Sequence, residues 1–468
     1  MPSNPLIPAG VKRREPLHQI ATQLREGAVT ATELLTRCVA ADQHGAFIAG
    51  RDEQGAERAR QQALAVDAAL KAGSDLGPLM GLPYGVKDIF GVPGIPVFAG
   101  SAKPLPSAWQ APGPMVQATE QQLGVMVGKT HTVCFAYGGV GLNSQWDTPK
   151  NPWDSAQHRA PGGSSSGSGV SVAEGSSLYA FGTDTGGSVR VPASVNGLVG
   201  YKSTAGYLST AGIVPLSTTL DSAGLLARSM DDVAFVMGGL RDDFVMPPLP
   251  SLNELRVHAL TGRFLEDTDP GILVAYQRAL EVLGKAVGQL VTQPSAVAEE
   301  ALALFEAGSV GGVELAARLD NQLAAWWDGL DPLVSTRIAA SREMPAHTYL
   351  DRRYQIQSLT ARMTSTMVEQ ATDIMVLPTL PITPPVLDDL TADDSGEAYS
   401  TANMSMLRNT CFANITGMCG VSLPIGLDNH GMPVGIQLLA PGGQDRRLLA
   451  IAAACEAAFA DAGLWPLD

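Results

Sequence analysis

From about residue 80 onward the chain contains short apolar runs separated by glycine and proline. This pattern constrains the fold more than any other feature of the sequence. Examples are GVMVGKT at 124–130, SLYAFGTD at 177–184 and GLVGYKST at 197–204. Apolar runs of this length, bounded by turn residues, indicate buried strands. Segments with helical spacing of apolar residues alternate with them. Strands that alternate with helices predict an α/β layer structure.

Several segments have the 3.6-residue periodicity of amphipathic helices. Thr30–Glu33 resembles a capping box, which predicts that a helix begins there. The region 270–370 is expected to be mostly helical, and ILVAYQRALEVLGKAVGQLV at 272–291 is its clearest amphipathic stretch. The remaining predicted elements are helices at 17–24, 55–72 and 445–463, a strand at 257–260, a strand near 374 and a strand pair within 420–440.

The charge balance excludes two classes of partner. The 468 residues carry a net charge of −15, whereas binding to nucleic acid or to an anionic membrane requires clustered Lys and Arg. The first 15 residues lack the apolar core of a secretory signal, and no apolar run reaches 18 residues. The five cysteines are scattered and never spaced as C-x-x-C, which predicts reduced thiols and no zinc cluster. We therefore expect a cytoplasmic protein that binds neither nucleic acid nor a membrane.

The segment PGGSSSGSG at 161–169 is unusual in so regularly patterned a chain. Its composition is compatible with a flexible linker, a phosphate-binding loop or a catalytic loop. A phosphate-binding loop is disfavoured, because GVMVGKT has three residues between its glycines where the P-loop pattern needs four. The G-x-S-x-G pattern at 163–167 is no better as a nucleophile elbow, because the preceding WDSAQHRAP is too polar for a buried strand.

A catalytic loop needs chemical partners elsewhere in the chain. One candidate partner is Lys87 in GLPYGVKDIF, and another is the segment TDTGGSVRVPA at 183–193. Together with Ser164 and Ser188, which are 24 positions apart, these motifs closely resemble the amidase signature family. The resemblance covers about residues 17–460. Other segments that resemble the family are GKT at 128–130, LDSAGLLARSMDDVA at 220–234 and NITGMCGVSLPIGLDNHGMPVGIQLLA at 414–440.

This resemblance implies a fold and a mechanism. The implied fold is α/β, with a single large mixed β-sheet covered by helices on both faces. The implied catalytic residues are Ser188 as nucleophile, Ser164 as proton relay and Lys87 as base and acid. A cis peptide bond would join Gly163 to Ser164, and Ser165 would hydrogen-bond within the network. The family hydrolyses C–N bonds through an acyl-enzyme, and the resemblance implies no cofactor and no metal.

We divide the chain into four regions within one structural domain. They are an amino-terminal helical segment at 1–75, the catalytic core at 76–245, a mostly helical, substrate-determining region at 246–370, and carboxy-terminal strands and a helix at 371–468.

A lysine base must be largely neutral at the working pH, although the reference pKa of lysine is about 10.4. Burial lowers the pKa of an amine by disfavouring its charged form, and Lys87 lies in the apolar run YGVKDIF. Asp88 would oppose this effect unless the alternation of side chains along a strand turns its carboxylate away. We therefore expect a buried Lys87 and an Asp88 that points elsewhere.

The segment Thr185, Gly186, Gly187 and Ser188 is predicted to form an oxyanion hole. Glycines allow successive backbone N–H groups to approach one point with no Cβ in the way. Asp184 and Arg190 flank this segment. We interpret them as an ion pair that braces the loop.

The resemblance places Ala136, Tyr137 and Gly138 in the substrate pocket. The chain departs from the family just before them: it has His131 and Cys134 where relatives commonly have Asn and an acidic residue. Cys134 is disfavoured as a nucleophile, because His131 is the only histidine close to it in sequence.

Two classes of function remain open. The first is a stand-alone amidase that releases ammonia or an amine from a small carboxamide or related compound. The alternative is the glutaminase (A) subunit of a tRNA-dependent amidotransferase. We favour the hydrolase, because the tyrosine-rich helical segment of that subunit is replaced here by LDRRYQIQSLTARM at 350–363. The expected partner is a small amide substrate, and a homodimer remains open.

Overall fold

The computed structural model describes residues 15–308, 310–392 and 396–465. Residues 1–14, on which most of the argument about a secretory signal depends, lie outside the described residues. Eleven strands of the described residues form one sheet. In chain order they are β1 (Phe47–Ala49), β2 (Pro83–Lys87), β3 (Val125–Thr130), β4 (Tyr179–Asp184), β5 (Val199–Lys202), β6 (Ser222–Ala227), β7 (Arg256–Leu260), β8 (Gln289–Gln293), β9 (Ile374–Pro378), β10 (Cys419–Leu427) and β11 (Pro433–Ala440).

The strands follow the order β1-β3-β2-β4-β6-β5-β10-β11-β9-β7-β8 across the sheet. Strand β2 pairs in parallel with β3 and β4, and β7 pairs in parallel with β8 and β9. The other neighbouring strands are antiparallel. The sheet is therefore mixed. Strands β2 to β6 and β9 are buried at every position, which explains why they are continuous apolar runs in the sequence.

Sixteen α-helices lie within the described residues, and none of them is both long and apolar enough to cross a membrane. They are α1 (Leu17–Glu26), α2 (Ala31–Ala41), α3 (Glu53–Lys71), α4 (Pro114–Gln121), α5 (Ser166–Glu174), α6 (Arg190–Val195), α7 (Met230–Leu240), α8 (Pro270–Ala286), α9 (Ala296–Glu306), α10 (Val310–Gln322), α11 (Pro332–Arg342), α12 (Ala346–Glu369), α13 (Leu387–Leu390), α14 (Glu397–Arg408), α15 (Cys411–Ile415) and α16 (Asp445–Asp461).

Strand β10 illustrates how helices cover both faces of the sheet. Cys419, Val421 and Leu423 belong to the same apolar cluster as the buried residues of α16. Gly420 points to the opposite face, where a Cβ would lie 3.4 Å from the Cδ of Arg190 in α6. Successive side chains of a strand point to opposite faces, so α16 and α6 pack on the two sides. This confirms the predicted α/β fold.

The start of α2 confirms the predicted capping box. Thr30 Oγ1 accepts the N–H of Glu33 at 3.1 Å, and the Glu33 carboxylate accepts the N–H of Thr30 at 3.0 Å.

The stretch 272–291 is not one continuous helix, which corrects the prediction. Helix α8 ends at Ala286, and residues Gln289–Gln293 form β8 instead. Strand β8 pairs in parallel with β7 at the edge of the sheet. A partner strand that is distant in sequence decided this conformation, so local periodicity could not reveal it. Strands β1 and β6 were not predicted either.

Candidate active site

Lys87 ends the interior strand β2, and its side chain is fully buried. Its Nζ lies 2.7 Å from Ser164 Oγ and 2.9 Å from Thr183 Oγ1. Burial lowers the pKa of Lys87 to about 7, although the carboxylates of Asp221 and Asp184 act in the opposite direction. A substantial fraction of this amine is therefore neutral near pH 7, as a general base requires.

Asp88 points away from Lys87, as the alternation along the strand predicts. Its carboxylate lies 3.0 Å from Lys129 Nζ, and both side chains are fully buried. The carboxylate also accepts the backbone N–H groups of Phe98 and Gly100. Asp88 is thus neutralised by a different lysine.

The glycine- and serine-rich segment brings Gly163 and Ser164, two of the predicted site residues, to Lys87 at the end of β2. The peptide bond between Gly163 and Ser164 is cis. The N–H of Gly163 donates to Gly139 O at 2.7 Å, and the N–H of Ser165 donates to Ser188 O at 3.3 Å. In the part of the chain that the structure describes, no hydrogen bond joins the hydroxyls of Ser164 and Ser188. The two serine loops nevertheless contact each other directly through the backbone.

The loop after β4 is organised around the carboxylate of Asp184. This carboxylate accepts the N–H groups of Gly187 at 2.8 Å and Val189 at 3.1 Å, and it lies 2.9 Å from the Arg190 guanidinium. Asp184 and Arg190 are both fully buried. Burial alone would raise the pKa of Asp184, but the Arg190 guanidinium holds it well below its usual range. The ion pair inferred from the sequence is therefore present, and it also shapes the loop.

The predicted oxyanion donors do not all have the same role. The N–H of Gly187 is already bound to Asp184, so its assignment as an oxyanion donor needs correction. Among the described residues, no hydrogen bond engages the N–H groups of Thr185, Gly186 or Ser188. Those three N–H groups remain available to a substrate oxygen.

Ser188 borders a cavity of about 470 Å³. The three residues predicted for the pocket, Ala136, Tyr137 and Gly138, also line it. The rest of the wall comes largely from residues 305–308, Gly311 and the segment 337–344, together with α14. The region 246–370 therefore contributes directly to the surface that a substrate would contact.

Arg337 of α11 is a cavity residue that the sequence analysis missed. Its guanidinium stacks on the Tyr137 ring at 4.4 Å and donates to Tyr137 O at 2.9 Å. Within the described ranges, no carboxylate forms an ion pair with Arg337. The helical spacing of the sequence could have revealed this position. Arg337 shares one face of α11 with the buried Val334 and Ile338 and with Ser341 of the cavity. A charged side chain in the wall of a mostly apolar pocket can fix the orientation of a ligand.

Thr183 and Asp221 also escaped the sequence analysis. Thr183 contacts Lys87, and Asp221 accepts the hydroxyl of Thr185 at 2.5 Å. Both residues lie in segments that resemble the amidase signature family. Their position next to the catalytic motifs was therefore the available signal.

Cys134 does not have the character of a nucleophile. Burial raises the pKa of its thiol to about 12, whereas a reactive cysteine needs a lowered pKa. The nearby His131 ring has its Nδ1 2.7 Å from Ser166 Oγ. Among the described residues, no group of three His, Cys, Asp or Glu side chains is placed to hold a metal ion.

The chain matches the family model described as Amidase over residues 53–449, and it belongs to that family. It is 44% identical over 449 residues to a Comamonas testosteroni protein described as 2-amino-5-chloromuconic acid deaminase, with 94% of this chain and 95% of the relative covered. It is 32% identical over 468 residues to a glutamyl-tRNA(Gln) amidotransferase subunit from Rippkaea orientalis, with 91% and 93% covered. A crystal structure of an amidase, 30% identical, superposes with a TM-score of 0.82 and covers 96% of this chain and 100% of its own.

These comparisons confirm the family that the sequence motifs indicated. The chain is an amidohydrolase that acts on C–N bonds of small substrates. Its higher identity to the deaminase than to the amidotransferase subunit favours the hydrolase over the alternative.

Proposed function

We propose that the chain hydrolyses a C–N bond with Ser188 as nucleophile, Ser164 as proton relay and Lys87 as base. The observation that carries this proposal is the 2.7 Å contact between the buried Nζ of Lys87 and Ser164 Oγ. A neutral amine beside a serine hydroxyl can accept its proton. Ser188 borders the cavity, where a substrate carbon can approach it. Hydrogen bonds in catalytic sites often form or shorten only when the substrate binds. We expect the hydroxyls of Ser164 and Ser188 to form their hydrogen bond in that state.

The proposed reaction proceeds in two halves. Ser188 Oγ attacks the carbonyl carbon while its proton passes to Ser164, whose own proton passes to Lys87. The N–H groups of Gly186 and Ser188 stabilise the negative oxygen that forms. The C–N bond then breaks, Lys87 returns its proton to the leaving nitrogen through Ser164, and an acyl-enzyme remains. Water hydrolyses the acyl-enzyme along the same proton path, with no cofactor or metal involved.

Arg337 indicates that the substrate carries a carboxylate. The cavity wall is mostly apolar, and the Arg337 guanidinium has no acidic partner within the described ranges. A partly buried cation of this kind binds an anionic ligand group with directional hydrogen bonds. The acidic residue Glu306 also borders the cavity, but its carboxylate already pairs with Arg263 at 2.9 Å. The cavity therefore suits an anion better than the zwitterion glutamine.

Deamination is a second candidate, and the 44% identity to a protein named for it favours this reaction. In that reaction water adds to the carbon that carries the nitrogen, in its C=N form, and ammonia leaves as a carbonyl group forms. Atoms balance without an oxidant or reductant. The substrate would be an unsaturated amino acid with carboxylate groups, which fits Arg337.

A single assay tests the catalytic assignment. Ammonia release is measured on the purified chain with 2-amino-5-chloromuconate, small carboxamides with and without a carboxylate, and urea. Ser188→Ala and Lys87→Ala should each lower kcat by about 10³-fold or more on the preferred substrate. The matched control is Ser176→Ala, a buried serine that bonds Glu174 away from the cavity and should leave kcat unchanged. Near wild-type turnover by Lys87→Ala at neutral pH would show that the base is assigned wrongly.

A second variant tests the substrate class. Arg337→Gln should raise KM by about 10-fold or more for substrates with a carboxylate, because an anion loses its charged partner. For neutral amides of the same size it should leave KM within about twofold. Equal effects on both groups of substrates contradict the anionic assignment. Ammonia release that requires ATP, charged tRNA and a partner subunit would instead support the amidotransferase alternative.

We also propose that the enzyme works in the cytoplasm. The thiols of Cys134, Cys411, Cys419 and Cys455 are free and buried, which suits a reducing compartment. Fractionation of cells that produce the full chain tests this location. Sedimentation of the purified protein tests whether it forms a homodimer.

A further inference from the structure

The segment 215–221 forms one wall of the cavity and ends at Asp221, just before β6. Leu216 and Leu220 of this segment line the cavity. One oxygen of the Asp221 carboxylate accepts the backbone N–H groups of Leu216 at 2.9 Å and Ser217 at 3.0 Å. The other oxygen accepts the hydroxyl of Thr185 at 2.5 Å. One carboxylate thus connects the cavity wall with the loop that carries Ser188.

The same segment is held from the outside by α10. Glu314 accepts the hydroxyl of Ser217 at 2.7 Å and the hydroxyl of Tyr349 at 2.8 Å. Arg318 donates to Pro215 O at 2.5 Å. Because α10 fixes the segment on one side, the Asp221–Thr185 hydrogen bond transmits that fixed position to the nucleophile loop.

Asp221 is also one of the two carboxylates that act on Lys87. The other is Asp184, whose charge is matched by the Arg190 guanidinium at 2.9 Å. Lys87 and Arg318 are two cations that interact with the charge of Asp221. The negative charge of Asp221 therefore favours the protonated form of Lys87.

We propose that Asp221 is a positioning residue for the reaction, which rests on the function proposed above. Its carboxylate fixes the position of Thr185, and with it the free N–H groups of Gly186 and Ser188, relative to the cavity wall. The same carboxylate is a counter-charge for Lys87. Each of these two roles has its own experimental signature.

Asp221→Asn tests the role as counter-charge. Asparagine can keep all three contacts, because its oxygen can accept the two backbone N–H groups while its nitrogen donates to Thr185 Oγ1. With the negative charge removed, protonated Lys87 is less stable, so the ascending limb of the kcat/KM–pH profile should move toward acid by about half to one pH unit. A merely structural role would lower the rate without moving the limb.

The matched control is Asp232→Asn. Burial raises the pKa of both Asp221 and Asp232 to about 6, and Asp232 likewise accepts a backbone N–H, but this is the N–H of Leu17 in α1, away from the cavity. This variant removes the same charge from the protein and should leave the limb in place. If neither Asp221→Asn nor Asp232→Asn shifts the ascending limb of the kcat/KM–pH profile, the counter-charge role is wrong.

Thr185→Val tests the mechanical role, and it does so even if Asp221→Asn fails to fold. Valine keeps the shape of threonine but loses the hydroxyl, so kcat should fall roughly 10- to 100-fold while the limb stays in place. Thr185→Ser keeps the hydroxyl and should restore kcat. Wild-type kcat in Thr185→Val would overturn the positioning role. These outcomes are separable from failure of the proposed function, in which Ser188→Ala or Lys87→Ala would keep their activity.

Discussion

At the scale of single residues, the amine of Lys87 is activated by its surroundings and not by a strong neighbouring base. It has two hydroxyl neighbours, Ser164 and Thr183, and it is fully buried. Its sequence neighbour Asp88 would have favoured the charged form, but that carboxylate pairs with Lys129. Burial therefore dominates, and it favours the neutral amine that the proposed mechanism needs.

The pH profile follows from this arrangement. The pKa of Lys87 is lowered to about 7, so the amine is protonated and inactive as a base below that pH. We expect kcat/KM to rise with pH through about 7 and then to level off, because the base must be deprotonated to act. Steady-state rates between pH 5 and 9 check this expectation. A profile that is flat through pH 7 would mean that another group is the base.

Two adjacent glycines should differ in their tolerance of a side chain. Gly187 has a φ of 136°, and a Cβ there would lie 2.1 Å from Thr410 Oγ1. At Gly186 the nearest atoms would be 3.7 and 3.9 Å away. Gly187→Ala should therefore lower the free energy of unfolding by about 1–3 kcal/mol, whereas Gly186→Ala should leave it near the wild-type value. Urea unfolding of the two variants makes the comparison, and equal stabilities would contradict it.

At the scale of elements, the loop between β4 and α6 is held by contacts from distant parts of the chain. The Arg190 guanidinium binds Asp184 at one end and donates to Gln437 of β11 and Asn414 of α15 at 2.8 Å each. The loops that carry Ser164 and Ser188 meet where Ser165 N–H donates to Ser188 O. The geometry of the loop that carries Ser188 therefore depends on the carboxy-terminal strands as well as on its own glycines.

Breaking the Asp184–Arg190 ion pair should strongly lower the free energy of unfolding. Asp184→Asn leaves a buried guanidinium with no counter-charge, and the loss of one partner of such a pair lowers the free energy of unfolding by about 3–5 kcal/mol. Glu300→Gln is the control, because its pair with Arg362 is exposed and contributes little. Thermal unfolding measures both variants. An Asp184→Asn protein as stable as Glu300→Gln would mean that the buried pair is not important for stability.

At the scale of the whole molecule, one sheet connects the four regions defined from the sequence. Strand β1 comes from 1–75, β2 to β6 from 76–245, β7 and β8 from 246–370, and β9 to β11 from 371–468. The region 246–370 contributes cavity residues, but its described residues form only two strands, at one edge. Its position thus depends on hydrogen bonds to a strand from the carboxy-terminal region.

We expect the whole chain to unfold in one cooperative transition, because all strands of the described residues belong to one sheet. Far-ultraviolet circular dichroism and tryptophan fluorescence should report the same midpoint. Trp153 packs against Trp465 at 5.8 Å, so fluorescence senses contact between the core and the carboxy-terminal end. Two separate transitions would mean that the chain contains two independent domains.

Much of the site could be predicted from the sequence, because it consists of short contiguous motifs. The segments around Lys87, Ser164 and Ser188 predicted a buried amine, a serine-rich bend and a glycine-rich loop, and the structure brings the three segments together. Local propensity also predicted the capping box of α2 and most of the buried strands. Edge strand β8 was predicted wrongly, since only its partner β7 makes it a strand.

The sequence by itself determined which side chains can carry out chemistry, because residue type and local spacing are written in it. Only the tertiary structure decided three further matters: that the Gly187 N–H is taken by Asp184, that Arg337 stacks on Tyr137, and that Asp221 meets Thr185. The last two contacts join residues 200 and 36 positions apart. Such contacts depend on how helices and loops pack around the sheet, and burial, which sets the pKa of Lys87, exists only once they have packed.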